Sequence, residues 1–330
     1  MKVLKDNLKI GVFDSGIGGL TVLKKLLQGF PRGVDFFYFA DTARVPYGSK
    51  PIETLRGYIG EIFDFFFQLG IDAIVTACNT SDSVLSQREK QNLPVPYFSI
   101  IDPTVRTLGS IAPKGSEVSV IATSNTVRRS LYLRKLFRYE NLRRITQKAC
   151  PLFVPIIEEG IWEGEIVDAV VSYYLAEINR MEPDYLILGC THYPFLIETL
   201  QQVINELKNI KVENQYLYKH LIADDFIFID PAVYTAIECY NTLREDGNLA
   251  LRIGDQKVNG YISVPDGFLD SKYLTPDGKL TYEFKYGRDV DSQEITTKQV
   301  PFSKSNIDSN NLLRIKSLLP YSYELIYPTL

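Results

Sequence analysis

The chain is expected to adopt an α/β fold built on mainly parallel sheets, and three observations carry that expectation. Short β-branched or aromatic runs alternate with longer segments along most of the sequence. Those longer segments space their apolar residues as amphipathic helices do. The strand-then-helix order also recurs late in the chain, as expected for sheets covered by helices on both faces.

In order, "KIGVF" (9–13) reads as a strand, followed by a glycine-rich turn and the helical "LTVLKKLLQGF". "DFFYFA" (35–40) is a second strand, and "TLRGYIGEIFDFFFQLG" (54–70) has helical spacing. "DAIVTA" (72–77) and "VPYFSII" (95–101) read as the third and fourth strands. "EVSVIAT" (117–123) leads into the helical "VRRSLYLRKLF", and "DYLILG" (184–189) leads into "FLIETLQQVINEL". "FIFID" (226–230) and "AVYTAIECYNTL" read as a last strand and helix. Beyond about Arg244 the pattern changes to short Tyr-rich runs with "PDG" turns at 265–267 and 276–278. That region reads as β-hairpins, followed by a helical "NNLLRIKSLL".

Composition narrows the function classes. At 330 residues with 45% hydrophobic and 23% charged residues, the chain has globular proportions. A net charge of −4 argues against an electrostatic nucleic-acid binder. No apolar run reaches the ~20 residues that a membrane span requires. The start, "MKVLKDNLKIGVF", has no signal-peptide character, which places the chain in the cytoplasm. The four cysteines are then expected to be free thiols, and no CxxC pair suggests a metal site.

In a parallel α/β sheet the ligand sits beyond the carboxyl ends of the strands. Two segments end there alike: "DAIVTACNT" and "DYLILGCTH" each run from an aspartate to a cysteine six residues later, Asp72 to Cys78 and Asp184 to Cys190. An isolated free cysteine is more often a small buried hydrophobe, and Cys150 and Cys239 are read that way. Cys78 and Cys190 differ, because small hydrogen-bonding residues follow both: Asn79-Thr80 and Thr191-His192. His192 has only His220 for company and no ligand spacing, so it is better placed to tune the nearby thiol than to hold a metal.

The glycine-rich "DSGIGG" (14–19) lacks the third glycine of a dinucleotide fingerprint, since Thr21 stands there. Its plain reading is a tight turn with Asp14 and Ser15 capping the helix. The sharper reading makes both residues polar handles for an ammonium group. "DTARVPYGSKP" (41–51) is either a Pro-Tyr-Gly turn or a backbone cradle for a carboxylate.

Taken together, "FDSGIGGLTV", "PYGSK", "ACNTSDS" and "GCTHYPFL" closely resemble the cofactor-independent glutamate racemases of the aspartate/glutamate racemase superfamily. "IATSNTV" and "CPLFVPIIEEG" also fit, and the likeness runs from about residue 9 to about 240. His192 favours glutamate racemases, because aspartate racemases of the superfamily usually carry glutamate at that position. Arg129 departs from the family's usual serine. The resemblance implies two α/β domains related by a pseudo-twofold axis: residues 1–101 with 213–244, and residues 102–212. Residues 245–330 form a C-terminal extension.

By the same resemblance the active site lies between the domains, with Cys78 acting on D-glutamate and Cys190 on L-glutamate. Asp14, His192 and Glu158 assist the thiols. Asn79, Thr80 and Thr191 hold the α-carboxylate, while Ser15 and Asp14 hold the amino group. Pro46, Tyr47 and Gly48 take the side-chain carboxylate, the Tyr47 hydroxyl included, and Thr123 and Thr126 line the site. The resemblance also implies no cofactor, a homodimer, and a supply of D-glutamate for peptidoglycan. Three alternatives stay open: a racemase of aspartate or another acidic amino acid, a catalytically silent binding protein on this fold, and a cysteine-dependent hydrolase needing only one of the thiols.

Overall fold

The computed structural model describes residues 6–30, 32–179, 183–216, 227–249, 254–265 and 297–303, with scattered single positions between 272 and 320. The first part of the chain forms β1 (Leu8–Asp14), α1 (Leu20–Gly29), β2 (Val34–Ala40), α2 (Ile52–Gln68), β3 (Ala73–Thr76), α3 (Asn79–Val84), α4 (Gln87–Gln91), β4 (Tyr97–Phe98) and α5 (Asp102–Ile111). There follow β5 (Ser116–Ala122), α6 (Ser124–Arg129), α7 (Leu131–Leu136), β6 (Leu142–Ala149), α8 (Phe153–Glu158), α9 (Glu165–Asn179), β7 (Tyr185–Gly189) and α10 (Ile197–Asn209). The chain then makes β8 (Lys211–Val212), β9 (Gln215–Tyr216), β10 (Ile227–Ile229), α11 (Pro231–Glu245), β11 (Lys257–Pro265) and β12 (Thr297–Pro301).

Two sheets organise these elements, in the strand orders β12-β11-β2-β1-β3-β4 and β10-β7-β5-β6. All pairings in them are parallel except β11 with β12. The central strands are buried along most of their length because both of their faces are covered. A core of α1, α5 and α11 residues lies between the sheets, joining Val12 and Val75 of one to Val118 and Val120 of the other. On the outer face of the first sheet, α2 packs a run of aromatics, with Phe13 edge-on to Phe63 at 5.7 Å. The outer face of the second sheet is covered by residues of α8, α9 and α10.

Several expectations change for local chemical reasons. The strand expected over 95–101 is only Tyr97–Phe98, because Ser99 Oγ accepts the N–H groups of Ile101 (3.1 Å) and Asp102 (3.0 Å) and turns the chain into α5. The helical "VRRSLYLRKLF" breaks into α6 and α7 at Ser130, which takes a left-handed conformation (φ 51°). β6 has no apolar alternation and was not anticipated; as an edge strand it needs only one buried side, and Arg143 and Arg144 pair with buried Glu117.

The domain boundaries also shift. β10 was expected with the first domain but pairs with β7 in the second sheet, since the β7–α10–β10 crossover returns the chain to the sheet it left. α11 packs back onto α1 and α5. Among the described residues after 245, β11 lies parallel to β2, covering an edge that would otherwise be unpaired, and pairs antiparallel with β12 on its other side. Both "PDG" turns and most of the expected C-terminal helix fall outside the described residues. Among the described residues, no helix is long and apolar enough to cross a membrane, and no group of side chains has the makings of a metal site.

Candidate active site between the two sheets

Four parallel strands end at the site. Asp14 is the last residue of β1, Cys78 caps α3 after β3, Thr123 caps α6 after β5, and Cys190 follows β7. Gly189 allows β7 to close on β5, because a side chain there would meet the Ile121 carbonyl oxygen at 2.8 Å. The turn after β1 needs its glycines for the same reason. A side chain at Gly18 would strike Thr191 and His192 within 2.6 Å, and one at Gly16 would strike Glu158. The "GIGG" turn is therefore a close approach of backbone to the second sheet's catalytic candidates, with no phosphate cradle implied.

The two thiols are joined by an unbroken series of contacts. Cys78 Sγ lies 3.7 Å from Ser15 Oγ, and Ser15 follows Asp14. The Asp14 carboxylate accepts a bond from Thr191 Oγ1 (3.1 Å), and Thr191 follows Cys190. Cys190 Sγ is 3.7 Å from His192 Nδ1, whose Nε2 meets Glu158 at 2.5 Å. Both cysteines are nearly buried, at 4% and 6% exposure. Asp14 serves the turn as well as the contact with Thr191. It accepts the Gly16 N–H (3.1 Å) within the turn, and its other oxygen faces Thr191.

Electrostatics separates the two halves. Burial, then the Asp14 carboxylate, pushes the Cys78 thiol up to about 12, against hydrogen bonds from Ser81 and Ser15. The charged Asp14 carboxylate therefore opposes ionisation of Cys78 in this structure. The Asp14 carboxyl is itself raised by burial, with His192 pulling the other way. Burial alone would lower His192, but its hydrogen bonds to Cys190 and Glu158 outweigh this and hold it well above the ordinary imidazole range.

The remaining expected residues divide into those brought together and one that is diverted. Thr80, Thr123 and Thr126 form a hydroxyl cluster, with Thr80 Oγ1 2.9 Å from Thr123 and Thr123 3.0 Å from Thr126. Gly48 packs directly on Thr123. Asn79 accepts a bond from the Tyr132 hydroxyl at 2.7 Å, which leaves its NH2 end as the donor. Tyr47 is the exception, because its hydroxyl donates to the buried Asp41 carboxylate and is not directed at a ligand. Pro46, preceded by a cis peptide bond, and Gly48 flank it on the same loop. Arg129, the departure from the family pattern, reaches the Ser83 carbonyl at 3.4 Å, at the far end of α3 from Cys78.

Several contributors were not anticipated. Tyr38 holds the turn by donating to Gly16 O at 2.9 Å. Asn125 of α6 donates to the carbonyls of Tyr47 and Lys50 (3.1 and 2.8 Å), tying the loop to the second sheet. Asp41 and Arg44 pair at 2.8 Å; their i, i+3 spacing in "DTARVPYG" was a usable signal. Asn125 sits between two expected threonines and was also within reach, whereas Tyr132 had no local signal. His220 lies outside the described residues.

Fold and site together define an α/β protein in which each of two sheets brings a thiol to the site, Cys78 after β3 and Cys190 after β7. The family described as Asp/Glu/Hydantoin racemase matches residues 17–212. Glutamate racemase of Carboxydothermus hydrogenoformans is 37% identical over 284 residues, covering 86% of this chain and 96% of that protein. A match of that length in a 330-residue chain runs past residue 240, so the likeness extends into the C-terminal segment, contrary to expectation. Glutamate racemase of Geobacter metallireducens is 35% identical, covering 80% and 93% of the two chains. Among solved structures, glutamate racemase from Francisella tularensis in complex with D-glutamate has a TM-score of 0.64 at 30% identity, covering 78% of this chain and 89% of that one. Glutamate racemase from Thermus thermophilus in complex with β-chloro-D-alanine has a TM-score of 0.63 at 37% identity, covering 80% and 90%. The chain belongs to the Asp/Glu/hydantoin racemase family and is an isomerase.

Proposed function

We propose that this chain interconverts L- and D-glutamate by two-base proton transfer at the α-carbon, without a cofactor. One observation supports this above the others: Cys78 and Cys190 end strands of different sheets yet are linked through Ser15, Asp14 and Thr191. The printed activity of the relatives in Carboxydothermus and Geobacter supports glutamate as the substrate. So does the D-glutamate bound to the Francisella neighbour.

In the D-to-L direction the Cys78 thiolate takes the α-proton from one face and the Cys190 thiol returns a proton to the other. The enzyme is left with a Cys78 thiol and a Cys190 thiolate, and the reverse direction exchanges the roles. Forming the Cys78 thiolate requires moving its proton to Asp14, whose raised pKa suits it to hold one. On the other side, His192 kept protonated by Glu158 steadies the Cys190 thiolate. The substrate ammonium lies by Asp14 and Ser15. Asn79, Thr80 and Thr191 donate to the α-carboxylate as charge builds on the α-carbon. The side-chain carboxylate lies on the backbone of Tyr47 and Gly48 beside Thr123 and Thr126. In the cell the product D-glutamate serves peptidoglycan synthesis in the cytoplasm, and the enzyme acts as a homodimer.

The test is α-proton exchange in deuterated water with glutamate and with aspartate, on the wild type and on Cys78→Ser and Cys190→Ser. Racemisation of glutamate, lost in each variant, is expected. A stronger turnover of aspartate overturns the substrate, and full racemisation by either variant overturns the mechanism.

A further inference from the structure

We propose that Ser263, on β11 of the C-terminal segment, is a positioning residue that sets the substrate-carboxylate loop 41–49. The proposal rests on the racemase reading above and deepens it. β11 runs parallel to β2, and their last paired residues are Ile262 and Ala40. One step further on, Ser263 lies opposite the start of the loop, where β2 has stopped and sheet hydrogen bonding can no longer hold the chain.

Ser263 replaces that support with three bonds. Its Oγ donates to Asp41 Oδ1 at 2.5 Å and accepts the Ala43 N–H at 3.0 Å, and its carbonyl accepts the Thr42 hydroxyl at 2.8 Å. Ser263 is 1% exposed and Asp41 fully buried, so water does not substitute for a lost partner. Asp41 is the loop's anchor. It receives Arg44 Nε and the Tyr47 hydroxyl, and its own N–H donates to the Asp14 carbonyl at 3.0 Å. Arg44 in turn meets Glu61 at 2.5 Å and stacks on Tyr58, 3.9 Å from the ring centre. Ser263 thus acts through Asp41 on Tyr47 and Gly48, without touching substrate. It lies outside residues 17–212, over which the family model matches.

The experiment measures glutamate racemisation by the full-length wild type, Ser263→Ala and Ser263→Thr, with melting temperature as a folding control. A loop that holds a non-reacting carboxylate binds substrate and transition state alike, so its loss raises KM and spares kcat. Ser263→Ala is expected to raise KM about 10-fold, the size of one hydrogen bond to a buried charge, with kcat within about 2-fold. Ser263→Thr keeps the hydroxyl and is expected to restore KM. If Ser263→Ala fails to fold, Ser263→Cys keeps the volume, weakens the bonds and answers the same question. An unchanged KM, or a fall in kcat alone, overturns the positioning role while leaving the racemase reading intact. A wild type that neither binds nor racemises glutamate overturns both.

Discussion

Cys78 and Cys190 occupy equivalent places, each at the carboxyl end of a parallel strand, yet their surroundings differ. Burial, and after it the buried Asp14 carboxylate, pushes the Cys78 thiol up to about 12. Cys190 faces an imidazole that Glu158 helps hold well above its ordinary range. One half of the site sets a carboxylate near its thiol and the other half an imidazole. A repeated backbone plan therefore carries unlike surroundings, because the plan fixes where a thiol sits while the neighbouring side chains fix what charge stands beside it. The two-base transfer proposed above uses its thiols in opposite protonation states, which is why their unlike neighbours matter to it.

The largest expected effect tests whether both halves are needed. Cys78→Ser and Cys190→Ser should each lower glutamate racemisation by about 10⁴-fold, the upper end for loss of a general base, as followed by circular dichroism of the product. Deuterium wash-in should survive for one enantiomer more than the other, with opposite preference in the two variants. Equal wash-in from both enantiomers in either variant would break the asymmetry.

Next come the helpers. Asp14→Asn and His192→Gln should each cost about 10²-fold. The loss should fall on wash-in from D-glutamate in the first variant and from L-glutamate in the second, as read by proton NMR. Identical direction dependence would mean that the helpers serve the site as a whole.

A pH measurement sharpens the contrast without catalysis. The folded Cys78 pKa lies above its unfolded value, about 12 against 9.0, so the native protein keeps a proton that the unfolded chain releases. Its contribution is complete below pH 9.0 and declines as pH rises toward about 12, so stability falls in that window. Cys78→Ala should flatten this fall in urea-denaturation midpoints, and an unaltered slope counts against the assigned shift.

The smallest effect concerns Tyr132, which orients the Asn79 amide. Tyr132→Phe removes one neutral hydrogen bond of about 1 kcal/mol, so KM for glutamate should rise about 5-fold. No change in KM would free Asn79 from its assigned role.

The contrast between the thiols was half legible in advance. The strand-to-cysteine pattern of "DAIVTACNT" and "DYLILGCTH" and the glycines of "DSGIGG" are local features, and the strand-helix alternation exposed the α/β class. The Tyr47 hydroxyl was misjudged because its partner, Asp41, becomes visible as an acceptor only once the loop has folded. β6 escaped notice because an edge strand tolerates charges that a buried one excludes.

Sequence by itself determined the elements with strong periodicity, the pair of thiols, and the residue types around them, because these depend on neighbours a few positions apart. Tertiary structure alone decided that β10 joins the second sheet, that β11 closes the edge beside β2, and that Ser263 reaches Asp41 across 222 positions. It also decided that Asp14 opposes ionisation of Cys78. The reason is physical: strand order, burial and hydrogen-bond partners arise only when distant segments pack, and the charge of a buried group depends on what that packing places beside it.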